Sequence, residues 1–162
     1  MKTHRAFTLV ELLIVVLILS IVAASAVPAL SEAFVDLKLR SAARRLMANL
    51  NYARNLAITE GAPCGLAFTG QGYSVVKFTD TAALHSASNP VITHPMTRQP
   101  WTVSLASDRT TVQATFAGDT VFYYDATGAP SAAGQIVLRQ GGLVVSVLLE
   151  ASTGRVTVQA GG

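Results

Sequence analysis

Apolar positions follow three different patterns along this chain. Residues 12–31 read LLIVVLILSIVAASAVPALS, twenty positions without a charge. A helix needs about 20 such residues to cross roughly 30 Å of hydrocarbon, whereas the core of a cleaved secretory signal has about 7 to 15. The run therefore predicts a transmembrane helix. Ala24-Ser25-Ala26 offers the competing reading of a signal-peptidase site, for which the run is too long. Residues 32–59 then contain no Gly or Pro, and Leu30, Phe34, Leu37, Ala42, Leu46, Leu50, Ala53 and Ala57 form a stripe at helical spacing. Lys38, Arg40, Arg44, Arg45 and Asn51 fall on the other faces. The stripe predicts a helix continuing from the membrane onto a sheet, about 75 Å from residue 7 to residue 57 at about 1.5 Å per residue. Pro28 stands at the junction as a candidate kink.

After Gly61 the pattern breaks into short β-rich runs separated by Gly, Asp, Ser and Pro. They predict antiparallel strands at 65–69, 73–78, 101–105, 111–116, 121–124, 135–139, 143–149 and 155–158. Gly70-Gln71-Gly72 and Gln140-Gly141-Gly142 read as tight hairpin turns in which Gly accepts a positive φ. Residues 79–100 lack periodicity and read as a mobile or partner-contacting loop.

Composition locates the anomaly in the first segment. The 162 residues are 51% hydrophobic and 13% charged, with mean hydropathy +0.44 and pI near 9.4, against a charged share of roughly 25% in ordinary soluble domains. That balance excludes a disordered or highly charged chain, and a single cysteine excludes a disulfide scaffold. Lys2 and Arg5 precede the apolar run, so the positive-inside rule places the N-terminus in the cytoplasm and the rest across the membrane.

Glu11 is the unusual residue, a carboxylate directly before the apolar run and without a nearby basic partner in it. A charge at mid-bilayer costs about 2.5 to 3.5 kcal/mol on insertion scales, so such a group needs a partner or an interfacial position. A new α-amino group on a neighbouring copy would be a partner if the chain were cut before Phe7. Arg5-Ala6-Phe7-Thr8-Leu9-Val10-Glu11, followed by the apolar run, resembles the class III signal of type IV pilins and type II secretion pseudopilins. The resemblance implies that prepilin peptidase cuts between Ala6 and Phe7 and methylates the Phe7 amine. It makes Glu11 the assembly carboxylate that pairs with an adjacent subunit's N-terminus. The family usually has Gly before the cut, where this chain has Ala6. Pro28 matches the helix-kinking proline of many pilins.

Leu46, Leu50, Ala53-Arg54, Ala57-Ile58, Gly61, Phe122, Gly128 and Thr153-Gly154-Arg155-Val156 extend the resemblance to minor pseudopilins of the GspH/FimT type. This implies an α+β pilin-like fold, a long helix packed on antiparallel sheets, with two sheets expected. Its divisions are a leader at 1–6, a transmembrane and assembly helix at 7–30, an amphipathic periplasmic half at 31–60 and a β-rich periplasmic domain at 61–162. Cys64 alone cannot form the intramolecular disulfide found in many major pilins.

No enzyme signature accompanies this pattern. His4, His85 and His94 are scattered, no metal spacing appears, and the Gly70-Gln71-Gly72 string lacks the third Gly of a dinucleotide loop. Asp119 and Asp125 flank a strand and make only a weak calcium motif, while Cys64 reads as a small buried residue. No catalytic residue, cofactor or metal is expected. The expected role is a structural subunit of a type II secretion pseudopilus in the bacterial inner membrane and periplasm, partnered by other pilin-like subunits, prepilin peptidase and the assembly machinery. The alternative is a FimT-like minor type IV pilin acting in pilus assembly or DNA uptake, with Arg139 and Arg155 as DNA contacts. Charge argues against DNA. After removal of the leader ten basic side chains face nine acidic ones, and from Gly61 onward five of each sign balance, too few free cations for a phosphate-tracking surface.

Overall fold

The computed structural model describes residues 8–78, 90–116 and 119–161, with the side chains of 25–32 and 160–161 outside the description. One helix, α1 (Leu9–Glu60), precedes eight strands: β1 (Cys64–Thr69), β2 (Gly72–Lys77), β3 (Thr102–Ser104), β4 (Thr111–Thr115), β5 (Val121–Tyr124), β6 (Gly134–Gln140), β7 (Leu143–Leu149) and β8 (Val156–Gly161). All eight expected strands are present, with edges shifted by up to three residues. The chain divides into two compact units, Met1–Asp36 and Leu37–Gly162.

In the first unit α1 starts beside Thr8, whose Oγ1 accepts the Glu11 N–H at 3.3 Å while its carbonyl accepts the Leu12 N–H at 3.2 Å. Thr8 thus acts as the N-cap of a Thr-x-x-Glu sequence. Leu9, Val10 and the apolar side chains from Leu12 to Val22 are all exposed. Among the described residues no helix is long and apolar enough to cross a membrane. Those side chains stop at Ala24, short of the 12–31 run, and Pro28 lies within α1 among the side chains outside the description.

In the second unit two four-stranded antiparallel sheets, ordered β3-β2-β1-β5 and β4-β6-β7-β8, share one core with the helix. The buried helix face is Leu39, Ala43, Leu46, Leu50, Ala53 and Ala57, in steps of four and three. This corrects the early part of the expected stripe. Phe34 is 59% and Leu37 63% exposed, and Ala42 only borders the core. The step of five from Leu37 to Ala42 marks the change of face, because five residues at about 100° each turn the helix well off its line.

Against this face, β1 presents Cys64, Leu66 and Phe68, β2 presents Tyr73 and Val75, and the second sheet presents Ile136, Leu138, Val145, Val147 and Leu149. Period-two alternation accounts for these inward sets. Inside the core the Asn49 amide donates to the Tyr73 hydroxyl at 2.9 Å, tying α1 to β2. Glu60, in the last turn of α1, forms an ion pair with Lys77 at the end of β2. Gly61 then ends the helix at φ +60°, the left-handed conformation that glycine adopts without a Cβ penalty.

Both expected hairpin turns are found, as the registers Thr69↔Gly72 and Gln140↔Leu143 show. Gly141 has the expected positive φ, but Gly70 does not. The expected irregular loop at 79–100 also needs correction over its described part. Residues 90–100 form a narrow hairpin along β2, with bridges Val76↔Val91 and Thr93↔Pro100. Positions 79–89 lie outside the described residues.

Candidate functional site

Of the positions singled out at the N-terminus, Ala6 and Phe7 lie outside the described residues. Glu11 occupies the third position of α1, exposed, its N–H taken by the Thr8 cap. Its carboxylate has no partner among the described residues. Around it, the exposed apolar residues leave a helix surface without cover. Ser20 interrupts that surface chemically but not electrostatically, since its hydroxyl donates to the Val16 carbonyl one turn back at 2.7 Å.

The two arginines of the DNA reading are both exposed and stand apart. Arg139 pairs with Val144 at one end of β7, whereas Arg155 directly precedes Val156, which pairs with Leu149 at the other end. Five residues of strand, about 17 Å at 3.3 Å each, separate those rungs. The outward face between them carries Gln135, Val137, Ser146, Leu148, Thr157 and Gln159, none of them charged.

Cys64 is buried and free, its thiol pushed up to about 11 by burial and by the neighbouring Glu60 charge, with Lys77 acting the other way. A thiol held protonated at neutral pH is a poor nucleophile. His94 is used structurally: its Nδ1 accepts the Met96 and Thr97 N–H groups at 3.2 and 3.4 Å, and its ring lies 4.2 Å from Trp101, which also stacks 4.6 Å from Tyr52. Among the described residues no group of three or more His, Cys, Asp or Glu could hold a metal ion. His4 and His85 lie outside them.

The loosely spaced motif residues of the second half converge. Arg54 leaves α1 half-buried, its guanidinium 6.0 Å from the centre of the Tyr124 ring. Gly128 and Gly154, at φ +83° and +65°, sit in two turns against it: a Cβ on Gly128 would meet Ile58 at 2.7 Å and Arg54 Nε at 3.4 Å, and one on Gly154 would meet Tyr124 at 3.4 Å and Arg54 Nη1 at 3.5 Å. The first turn is held by Asp125, whose Oδ1 accepts from Thr127 N, Thr127 Oγ1 and Ala129 N at 2.8, 2.6 and 2.9 Å. These bonds, the Thr127 side chain foremost, hold the Asp125 carboxyl below its ordinary range. The second turn is closed by Thr153 Oγ1 donating to Glu150 Oε2 at 2.6 Å. In the sequence Arg54 groups with Arg40, Arg44 and Arg45 as a solvated helix face or a contact to neighbouring subunits; the other three are exposed and Arg54 is half-buried, although all four adjoin a buried residue. Nothing in the local sequence marks Tyr124 as its neighbour.

A helix with an exposed apolar first part, and a two-sheet antiparallel domain packed on the later part, defines the class of pilin-like subunits. Residues 42–162 match the family described as Type II transport protein GspH, and the chain belongs to that family. Residues 1–27 match the prokaryotic N-terminal methylation motif. Among solved structures, the type IV minor pilin FimU of Pseudomonas aeruginosa has a similar fold: 19% identity, TM-score 0.52, with 78% of this chain and 94% of that chain covered. Comparison with curated proteins yields no match.

Proposed function

We propose that this chain is a minor pseudopilin of a type II secretion system, a structural subunit of a periplasmic filament that helps export folded proteins. The observation that carries this reading is the apolar helix surface from Leu9 to Val22, exposed along its whole described length. A surface of that extent is stable only in lipid or against other apolar helices, and a pilin-like filament supplies both in turn. The methylation motif supports cleavage between Ala6 and Phe7, with the N-terminus cytoplasmic and the domain periplasmic. In this reading residues 1–6 are the leader, 7–30 the membrane and assembly helix, 31–60 its amphipathic continuation and 61–162 the periplasmic domain.

Assembly is then an electrostatic selection. An unpaired Glu11 carboxylate in a hydrophobic helix bundle is costly, and the methylated amine of a neighbouring Phe7 removes that cost at one register only. Pro28 lets the helix bend as it passes from lipid into the filament. No step of this mechanism requires turnover, a cofactor or a metal.

Deletion of the gene in its host is expected to abolish export of folded exoproteins. Wild type should restore export, whereas Glu11→Ala should insert in the membrane yet fail to join the filament. Loss of pili or of DNA uptake with export intact would assign the chain to a type IV pilus instead. Normal assembly by Glu11→Ala would remove the proposed role of that carboxylate.

A further inference from the structure

The recess beside Arg54 has the chemistry of an unfilled ion pair. Lys38 pairs with Asp108 at 3.2 Å and Lys77 with Glu60, but the Arg54 guanidinium, beside the Tyr124 ring, makes no hydrogen bond or ion pair among the described residues. A guanidinium is always charged and offers five donors in a rigid fork, so one held half-buried without an acceptor loses solvation and regains little. Tyr124 is fully buried, and its hydroxyl is the one buried side-chain polar atom without a partner among the described residues. The ring that carries this hydroxyl flanks the guanidinium, its centre 6.0 Å away.

The guanidinium is held in position, since the Gly128 and Gly154 turns close on its Nε and Nη1 sides and the aromatic ring flanks it. It borders a cavity of about 190 Å³, whose other polar lining includes Ser152, itself without a hydrogen bond among the described residues. The nearby carboxylates are otherwise engaged, Asp125 with its own turn and Glu150 with Thr153.

We propose that this recess is a carboxylate-binding site, taking one carboxylate group from outside the described fold: an acidic side chain of a neighbouring chain, or a small free carboxylic acid. A planar carboxylate matches the guanidinium fork. The volume is below the roughly 300 to 1,000 Å³ of pockets that enclose drug-sized ligands, and so suits a single small group. The site is independent of the secretion reading, which is tested by export.

The test follows arginine Nε–H signals of the ¹⁵N-labelled full-length protein in detergent micelles, titrated with sodium acetate at constant ionic strength. The Arg54 signal should move saturably, with a Kd on the order of millimolar. Arg54→Lys should weaken acetate binding about tenfold, because the ammonium lacks the fork, as read from the Ser152 amide. If that variant is unstable, sequential assignment identifies the Arg54 signal and the wild-type titration decides. Saturation equal to that with sodium chloride, or none, overturns the proposal. Repeating the titration with co-expressed pilin-like subunits separates the sources: a signal already at its acetate-bound position assigns the carboxylate to a neighbouring chain, and one that acetate still moves assigns a free acid.

Discussion

At the residue scale, the Asp125 carboxylate holds one wall of the Arg54 recess by accepting from three donors of its own turn. Its ionisation is therefore linked to stability. The folded state lowers its pKa from the ordinary 3.8, so the stabilisation is present above that value and is lost as pH falls through the lowered one. Asp125→Ala is expected to cost about 1 kcal/mol at neutral pH, the usual size of a lost capping interaction. The gap between wild type and variant should close as the solution is acidified below the carboxylate range. Thermal denaturation of both proteins at neutral and strongly acid pH checks this, and a pH-independent gap would mean that the carboxylate's charge has no part in it.

At the element scale, α1 carries two apolar lines, and only one of them is a core. Leu39 is buried and Leu37 is exposed, two positions apart on the same helix. Leu39→Ala is expected to cost about 2 to 5 kcal/mol, through lost burial and the cavity left behind, whereas Leu37→Ala should change stability by less than about 0.5 kcal/mol. Denaturant titration of the two variants distinguishes the lines; equal losses would mean that the helix face is wrongly assigned. The periodicity of α1 and the β-rich runs of β1, β2, β6 and β7, bounded by turn residues, were legible in the sequence because each pattern is local. The phase of the helix was only partly legible, because the contribution of Phe34 and Leu37 to hydrophobicity does not depend on what covers them. The 90–100 hairpin was not legible, since it depends on bonds such as Ile92 N–H to the Val75 carbonyl at 2.8 Å rather than on its own composition.

At the scale of the whole molecule, the β-rich domain buries three weak acids in or beside one core. Burial pushes Tyr73 and Tyr124 up from 10.0 to about 12 and Cys64 from 9.0 to about 11. The unfolded chain releases these protons first, so stability is full below about pH 9 and falls as pH rises towards the native values. Urea unfolding from neutral pH to about pH 11 should show this decline, and Tyr73→Phe should make it shallower; an unchanged slope would exclude Tyr73 as a contributor. The site at Arg54 belongs to this scale too. Its parts lie on α1, after β5 and before β8, so the residues were visible in the sequence as a loose motif while their meeting was not. The N-terminal methylation motif at residues 1–27 was legible because it is written in consecutive residues.

The burial of Cys64 has an experimental use. As the chain's single thiol, enclosed where α1 gives way to β1, it is shielded from maleimide reagents until that junction opens, so its labelling rate clocks local opening without any substitution. A second cysteine placed at Met96, which is 88% exposed, would label at once. The natural thiol could then stay in place while the engineered one carries a spectroscopic probe.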